Sequence, residues 1–173
     1  MNQLVISGSP RNASVSSHVG KWLEKEYQIR HIDLSDQRLP IFDGEEETID
    51  RPEVKKYLKT IIEADALIII TPEYHGAMSG ALKNALDYTS SDHFVDKPVL
   101  IISIAGGGKG GINALNNLRT VLRSLYAEVY SRQMVIDAPN LNQAETWAKL
   151  SDLVQMFSQK NKLEWIPREV MGL

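Results

Sequence analysis

The chain contains no cysteine. Disulfides, thiolate nucleophiles, Cys-ligated zinc and iron–sulfur clusters are thereby excluded, so any redox chemistry must run through a bound cofactor. An excess of one charge is also missing: 19 Lys+Arg stand against 22 Asp+Glu, a net −3 with pI near 5.8. That balance offers no electrostatic footprint for DNA, RNA or an anionic membrane, and none of these is an expected partner. Long hydrophobic runs are lacking as well. The longest near-apolar stretches, 64–71 and 98–105, fall far short of the ~20 residues of a membrane helix. The first residues show neither a basic n-region nor a signal-peptide core, so a cytoplasmic protein is expected. Four histidines (His18, His31, His75, His93) are scattered without ligand spacing, which argues against a metal site.

What is present is an ordinary globular composition. The 173 residues are 43% apolar and 24% charged, which suits one domain over 1–173 and is too short for two of full size. Leu4-Val5-Ile6 reads as a buried first strand, and Val15, Val19, Trp22 and Leu23 share one face of a following helix. Residues 29–33 read as a weak second strand and 34–50 as a long surface loop. Past Pro52, the spacing of Val54, Leu58, Ile61 and Ile62 predicts a second helix. The unbroken apolar runs at 66–71 and 99–104 suit parallel strands covered on both faces. Further helices are predicted at 79–88, 115–125 and 147–157, with a fifth strand over 128–136. This alternation predicts an α/β fold around five parallel strands. Such sheets bind ligands beyond the carboxyl ends of their strands, where the strand order reverses. The turns after the first, third and fourth strands are therefore the places to seek chemistry.

The first turn, Ser7 to Ser17, packs five hydroxyls and Arg11 between a strand and a helix. Free N–H groups at a helix start, hydroxyls and a forked permanent cation together suit a terminal phosphate. Ser14 is either part of that cradle or a simple N-cap. In the third turn, Pro72-Glu73-Tyr74-His75-Gly76, backbone N–H groups suit the edge of a planar heterocycle, with Tyr74 or His75 over a face. Met78, Ser79 and Asn84 read as packing and capping residues. The fourth turn, 106–111, has glycine at five of six positions and so matches G-x-G-x-x-G. It opens a late βα unit, however, whereas a dinucleotide fingerprint opens the first one. The loop from Ala105 through Gly106 and Gly107 reads as a low wall beside a flat ring. Lys109 faces either that ring and its phosphate or a surface ion pair.

Taken in order, Gly8 to Ser16, Pro72 to Gly76 running into Leu82 to Asp87, and Ser103 to Gly111 with Leu118-Arg119 resemble the NADPH-dependent FMN reductase family. These are flavodoxin-like proteins, and the similarity is to the branch of small azoreductases and quinone reductases. Asp33-Leu34 and Leu39 to Asp43 are similar to the family too. The resemblance implies a five-stranded sheet of order 2-1-3-4-5 with bound FMN. Ser9, Arg11, Ser14, Ser16 and Ser17 would hold the phosphate, Pro72, Glu73, Tyr74, His75 and Gly76 the isoalloxazine, and Ala105, Gly106 and Gly107 its pyrimidine side, with Lys109 nearby. Family members often carry Asn where this chain has Ser16 or His75. The implied activity is ping-pong hydride transfer from NADPH through FMN to azo dyes and quinones, with no strict catalytic side chain. A homodimer or homotetramer is implied as well. Two alternatives share the fold: a flavodoxin-type electron carrier, and an FMN reductase that releases reduced flavin. A third, a nicotinamide dehydrogenase, would use the glycine loop as its fingerprint.

Overall fold

The computed structural model describes residues 2–108 and 110–164, with side chains through Asn161. Its elements are β1 (Gln3–Ser7), α1 (Val15–Tyr27), β2 (Arg30–Asp33), α2 (Glu46–Ile49), α3 (Pro52–Ile62), β3 (Ala66–Pro72) and α4 (Gly80–Asp87). They continue with α5 (Ser91–Phe94), β4 (Pro98–Ala105), α6 (Ile112–Ser124), β5 (Glu128–Val129), β6 (Met134–Asp137) and α7 (Ala144–Glu164). All strand pairs are parallel, and the order is β2-β1-β3-β4-β5, with β6 also on β4. The predicted order 2-1-3-4-5 is therefore the observed one.

Successive residues of a strand point to opposite faces, and this divides the core into two layers. Leu4, Ile6, Leu67, Ile69, Val99 and Ile101 face one way, against Tyr57 and Ile61 of α3, Leu82 and Leu86 of α4, and Leu115, Leu118 and Leu122 of α6. Val5, Ile68, Ile70, Leu100 and Ile102 face the other, against Val19 and Leu23 of α1 and Leu150, Val154 and Phe157 of α7. Burial on both sides is why β3 and β4 carry no polar alternation. Among the described residues no helix is long and apolar enough to cross a membrane.

Two expectations change. The predicted fifth strand over 128–136 is split into β5 and β6 by residues 130–133. Arg119 of α6 fills the break: its guanidinium donates to the carbonyl of Tyr130 (3.2 Å) and to Gln133 Oε1 (2.6 Å). The side chain thus satisfies backbone that leaves the ladder. The loop over 34–50 is also more ordered than expected, since it contains α2. Its apolar stretch is fastened to α4, where Asn84 donates to Pro40 O (2.8 Å) and accepts from Phe42 N (2.8 Å).

Candidate functional site

Four loops at the carboxyl edge of the sheet meet around one cleft of about 240 Å³. Ser9, Arg11, Ser14 and Ser16 line it from the first turn, Pro72, Glu73 and Tyr74 from the third, and Ala105 and Gly106 from the fourth. Register explains the convergence. Ser7 pairs with Ile70, Ile70 with Ile102 and Ile102 with Met134, so β1, β3, β4 and β6 end at similar heights.

The first turn ends in the N-terminus of α1. Ser14 is its N-cap, accepting from Ser17 N at 3.0 Å, and it lines the cleft as well. The N–H of His18 reaches Ser14 O at 2.9 Å. Those of Val15 and Ser16 have no partner among the described residues, as expected in the first turn of a helix. Ser16 is 1% exposed, and its Oγ has no hydrogen-bond partner although it borders the cleft. A buried hydroxyl left unpaired is costly, and one that borders a cleft suits an acceptor such as a phosphate oxygen. Ser9 is equally buried and accepts from Arg11 N at 3.3 Å, which turns the backbone back over the cleft. Arg11 is exposed and makes no ion pair among the described residues. The partial positive charge of the helix end, the free N–H pair, the orphaned hydroxyl and an uncommitted guanidinium fit the phosphate of FMN.

Ser17, expected to hold the phosphate directly, faces the other way. Its hydroxyl makes a short hydrogen bond to Asp33 Oδ2, and its N–H is taken by Ser14, so both donors are committed. Successive helical residues point about 100° apart, and Ser16 lines the cleft while Ser17 does not. Asp33 also accepts from Ser35 N (3.0 Å) and Ser35 Oγ (2.8 Å) through Oδ1. Burial pushes its carboxyl pKa up, but the bonds from Ser17 and Ser35 outweigh that and hold it below the usual range.

The third turn is a tight hairpin. Tyr74 and Ala77 exchange backbone hydrogen bonds at 2.9 and 3.1 Å across His75 and Gly76. Both central residues have positive φ, +52° and +78°, the signature of a type I′ turn. This accounts for a polar ring at His75: Asn, Asp and His enter the left-handed region more readily than other non-glycine residues. His75 and Gly76 sit exposed at the hairpin tip and do not line the cleft, whereas Tyr74 does. Ser79 ties the hairpin to the first turn. It caps α4 by accepting from Leu82 N at 3.0 Å, and its hydroxyl donates to Gly8 O in a short bond.

Glu73 has a task that its place in the sequence does not disclose. The N-cap of α6 is Gly111, which brings no capping side chain. Glu73 Oε2 supplies the cap from the neighbouring loop, accepting from Gly111 N (2.7 Å) and Ala114 N (3.0 Å). A carboxylate there satisfies two orphan donors and faces the positive helix end. Gly107 lies beyond the lining residues, and Lys109 lies outside the described residues. Ala138, in the turn after β6, completes the cleft and was not foreseen, because only three turns were considered. Asp137 just before it accepts from Gly108 N at 3.2 Å and fastens this turn to the glycine loop. An Asp-Ala-Pro sequence at a strand end was the available signal.

A profile of the family described as NADPH-dependent FMN reductase matches residues 1–140. An NADPH azoreductase of Bacillus sp. (strain OY1-2) is 44% identical over 146 residues, which cover 84% of this chain and 82% of that protein. An FMN-dependent NADPH-azoreductase of Staphylococcus aureus is 37% identical over 137 residues, covering 72% and 71%. Among solved structures, the flavoenzyme NAD(P)H:(acceptor) oxidoreductase FerB of Paracoccus denitrificans superposes with a TM-score of 0.79 at 24% identity, over 93% of this chain and 97% of that one. The strand order, the phosphate-shaped first turn and the extent of these matches lead to one assignment: the chain belongs to the NADPH-dependent FMN reductase family.

Proposed function

We propose that this protein is an FMN-dependent NADPH oxidoreductase whose acceptors are azo compounds and, in the same cleft, quinones. The observation that carries the reading is the buried, unpartnered Ser16 hydroxyl at the start of α1, set in a cleft with Arg11. The azoreductase relatives support the choice of acceptor. When bound, FMN supplies the two-electron chemistry linking NADPH to the acceptor. The chain's own residues bind and orient. Ser9, Arg11, Ser14 and Ser16 hold the phosphate end, with the N–H groups of Val15 and Ser16. Pro72, Glu73 and Tyr74 border the ring on one side of the cleft, and Ala105 and Gly106 close its other edge. The whole chain acts as one domain in the cytoplasm, and as a homodimer or homotetramer. The exposed Ile41 (84%) and Phe42, held beside α4, supply apolar surface for a second copy.

The test is direct. Purified protein is expected to show flavin absorbance and to oxidise NADPH steadily with an azo dye or a quinone, without a protein partner. Arg11→Ala is expected to weaken FMN binding about 10-fold, the loss of one charge-assisted contact. A colourless protein that consumes no NADPH when FMN is added overturns the reading.

A further inference from the structure

Behind the phosphate-binding turn lies a buried polar chain that no step of the reaction uses. His31 Nε2 is 2.8 Å from Ser7 Oγ, and Ser7 Oγ donates to Ser16 O at 2.9 Å. A hydroxyl has one proton. Since that of Ser7 goes to the Ser16 carbonyl, Nε2 of His31 must be the donor to Ser7, which defines the tautomer. The chain of bonds therefore runs from β2 through the end of β1 into the first turn of α1. It terminates on the residue whose hydroxyl is orphaned in the cleft.

Two further observations show that the contact is built in. His31 and Ser7 are packed beneath Gly20, in the middle of α1. A Cβ at Gly20 would overlap both Ser7 Oγ and the His31 ring, so a poor helix former occupies the one place where α1 must admit this pair. The charged groups around His31 are Asp33 on its own strand and Glu24 and Lys21 on α1, with Glu24 Oε2 3.7 Å from Nδ1. Burial dominates their balance and pushes the His31 pKa down, keeping the ring neutral at physiological pH, with its Nε2 proton available to Ser7.

We infer that His31 is a positioning residue for the flavin phosphate: through Ser7 it fixes the Ser16 carbonyl, and with it the backbone of the residue whose hydroxyl faces the cleft. The inference rests on the FMN reading above and adds a residue outside the cleft to it. It also makes a distinction that a merely stabilising histidine does not, because the relay ends on a phosphate donor and not on a group beside the ring. Its removal should weaken FMN and spare riboflavin, which lacks the phosphate.

The experiment measures dissociation constants for FMN and riboflavin by flavin fluorescence, using the full chain freed of bound flavin. Wild type, Ser7→Ala, His31→Leu, His31→Gln and Gly20→Ala are compared, with Tm recorded for each. Wild type is expected to prefer FMN. Ser7→Ala, His31→Leu and Gly20→Ala should reduce that preference roughly 3- to 10-fold, the effect of one lost neutral hydrogen bond. His31→Gln should restore most of it, since its amide N–H can donate to Ser7. Ser7→Ala removes a single oxygen and decides the matter if a larger change fails to fold. An equal loss for both flavins, or a fall in Tm with the preference intact, overturns the inference while leaving the FMN reading standing. A wild type that binds neither flavin overturns both.

Discussion

Ser16 and Ser17 are adjacent, chemically identical and both buried, yet one faces the cleft without a partner and the other is tied to Asp33. Their sequence context does not separate them; the rotation of the helix does. The same geometry gives Asp33 a measurable role. Its carboxyl is held below the ordinary value, so the unfolded chain binds the proton more readily. The stabilisation is present above about pH 4 and is lost as pH falls through the lowered pKa. Asp33→Asn is therefore expected to lower Tm at neutral pH, with a deficit against wild type that holds from about pH 6 to pH 5 and narrows as pH falls below about 4. Thermal melts across that range provide the check, and a deficit constant with pH would refute the assignment. His75 shows another limit at this scale. Its type suggested a ring cover, whereas its backbone angle shows what the turn requires.

Among the elements, α6 takes its N-terminal cap from a neighbouring loop. Its own sequence starts after Gly110-Gly111 with no capping side chain, and the cap arrives from Glu73 at the end of β3. That carboxylate joins two walls of the cleft. Glu73→Ala is expected to cost about 1–2 kcal/mol in chemical denaturation, the range for loss of a helix cap. Glu73→Gln should recover part of it, because the amide oxygen still accepts. Equal stability of Glu73→Ala and wild type would show that the cap contributes nothing. The split of the last strand belongs here too. The polar triplet Ser131-Arg132-Gln133 interrupts the run 128–136, and Arg119 bonds the chain where β5 and β6 part.

On the scale of the whole molecule, the two apolar layers hold a rigid sheet whose carboxyl edge presents all four cleft loops. A ligand that bridges loops from β1, β3, β4 and β6 binds the folded chain alone. FMN at about 100 times its Kd is thus expected to add ~2.7 kcal/mol of stability. For a chain of this size that corresponds to a Tm rise of roughly 5–10 °C, with riboflavin at the same concentration giving less. Differential scanning fluorimetry measures both, and an unmoved Tm would count against the shared cleft.

Much of this protein was legible in order of residues alone. The total lack of cysteine assigned redox work to a cofactor, and unbroken apolar runs at 66–71 and 99–104 marked the centre of a parallel sheet. Alternating strands and helices then directed attention to three turns, and residues from each line the cleft. These features are local, because periodicity and composition are properties of neighbouring residues. Which of two serines faces the ligand, where Glu73 finds its donors, why Gly20 is needed and how Ala138 enters the site all depend on contacts between distant segments. Only packing brings those segments within hydrogen-bond reach, and so only the tertiary structure decides them.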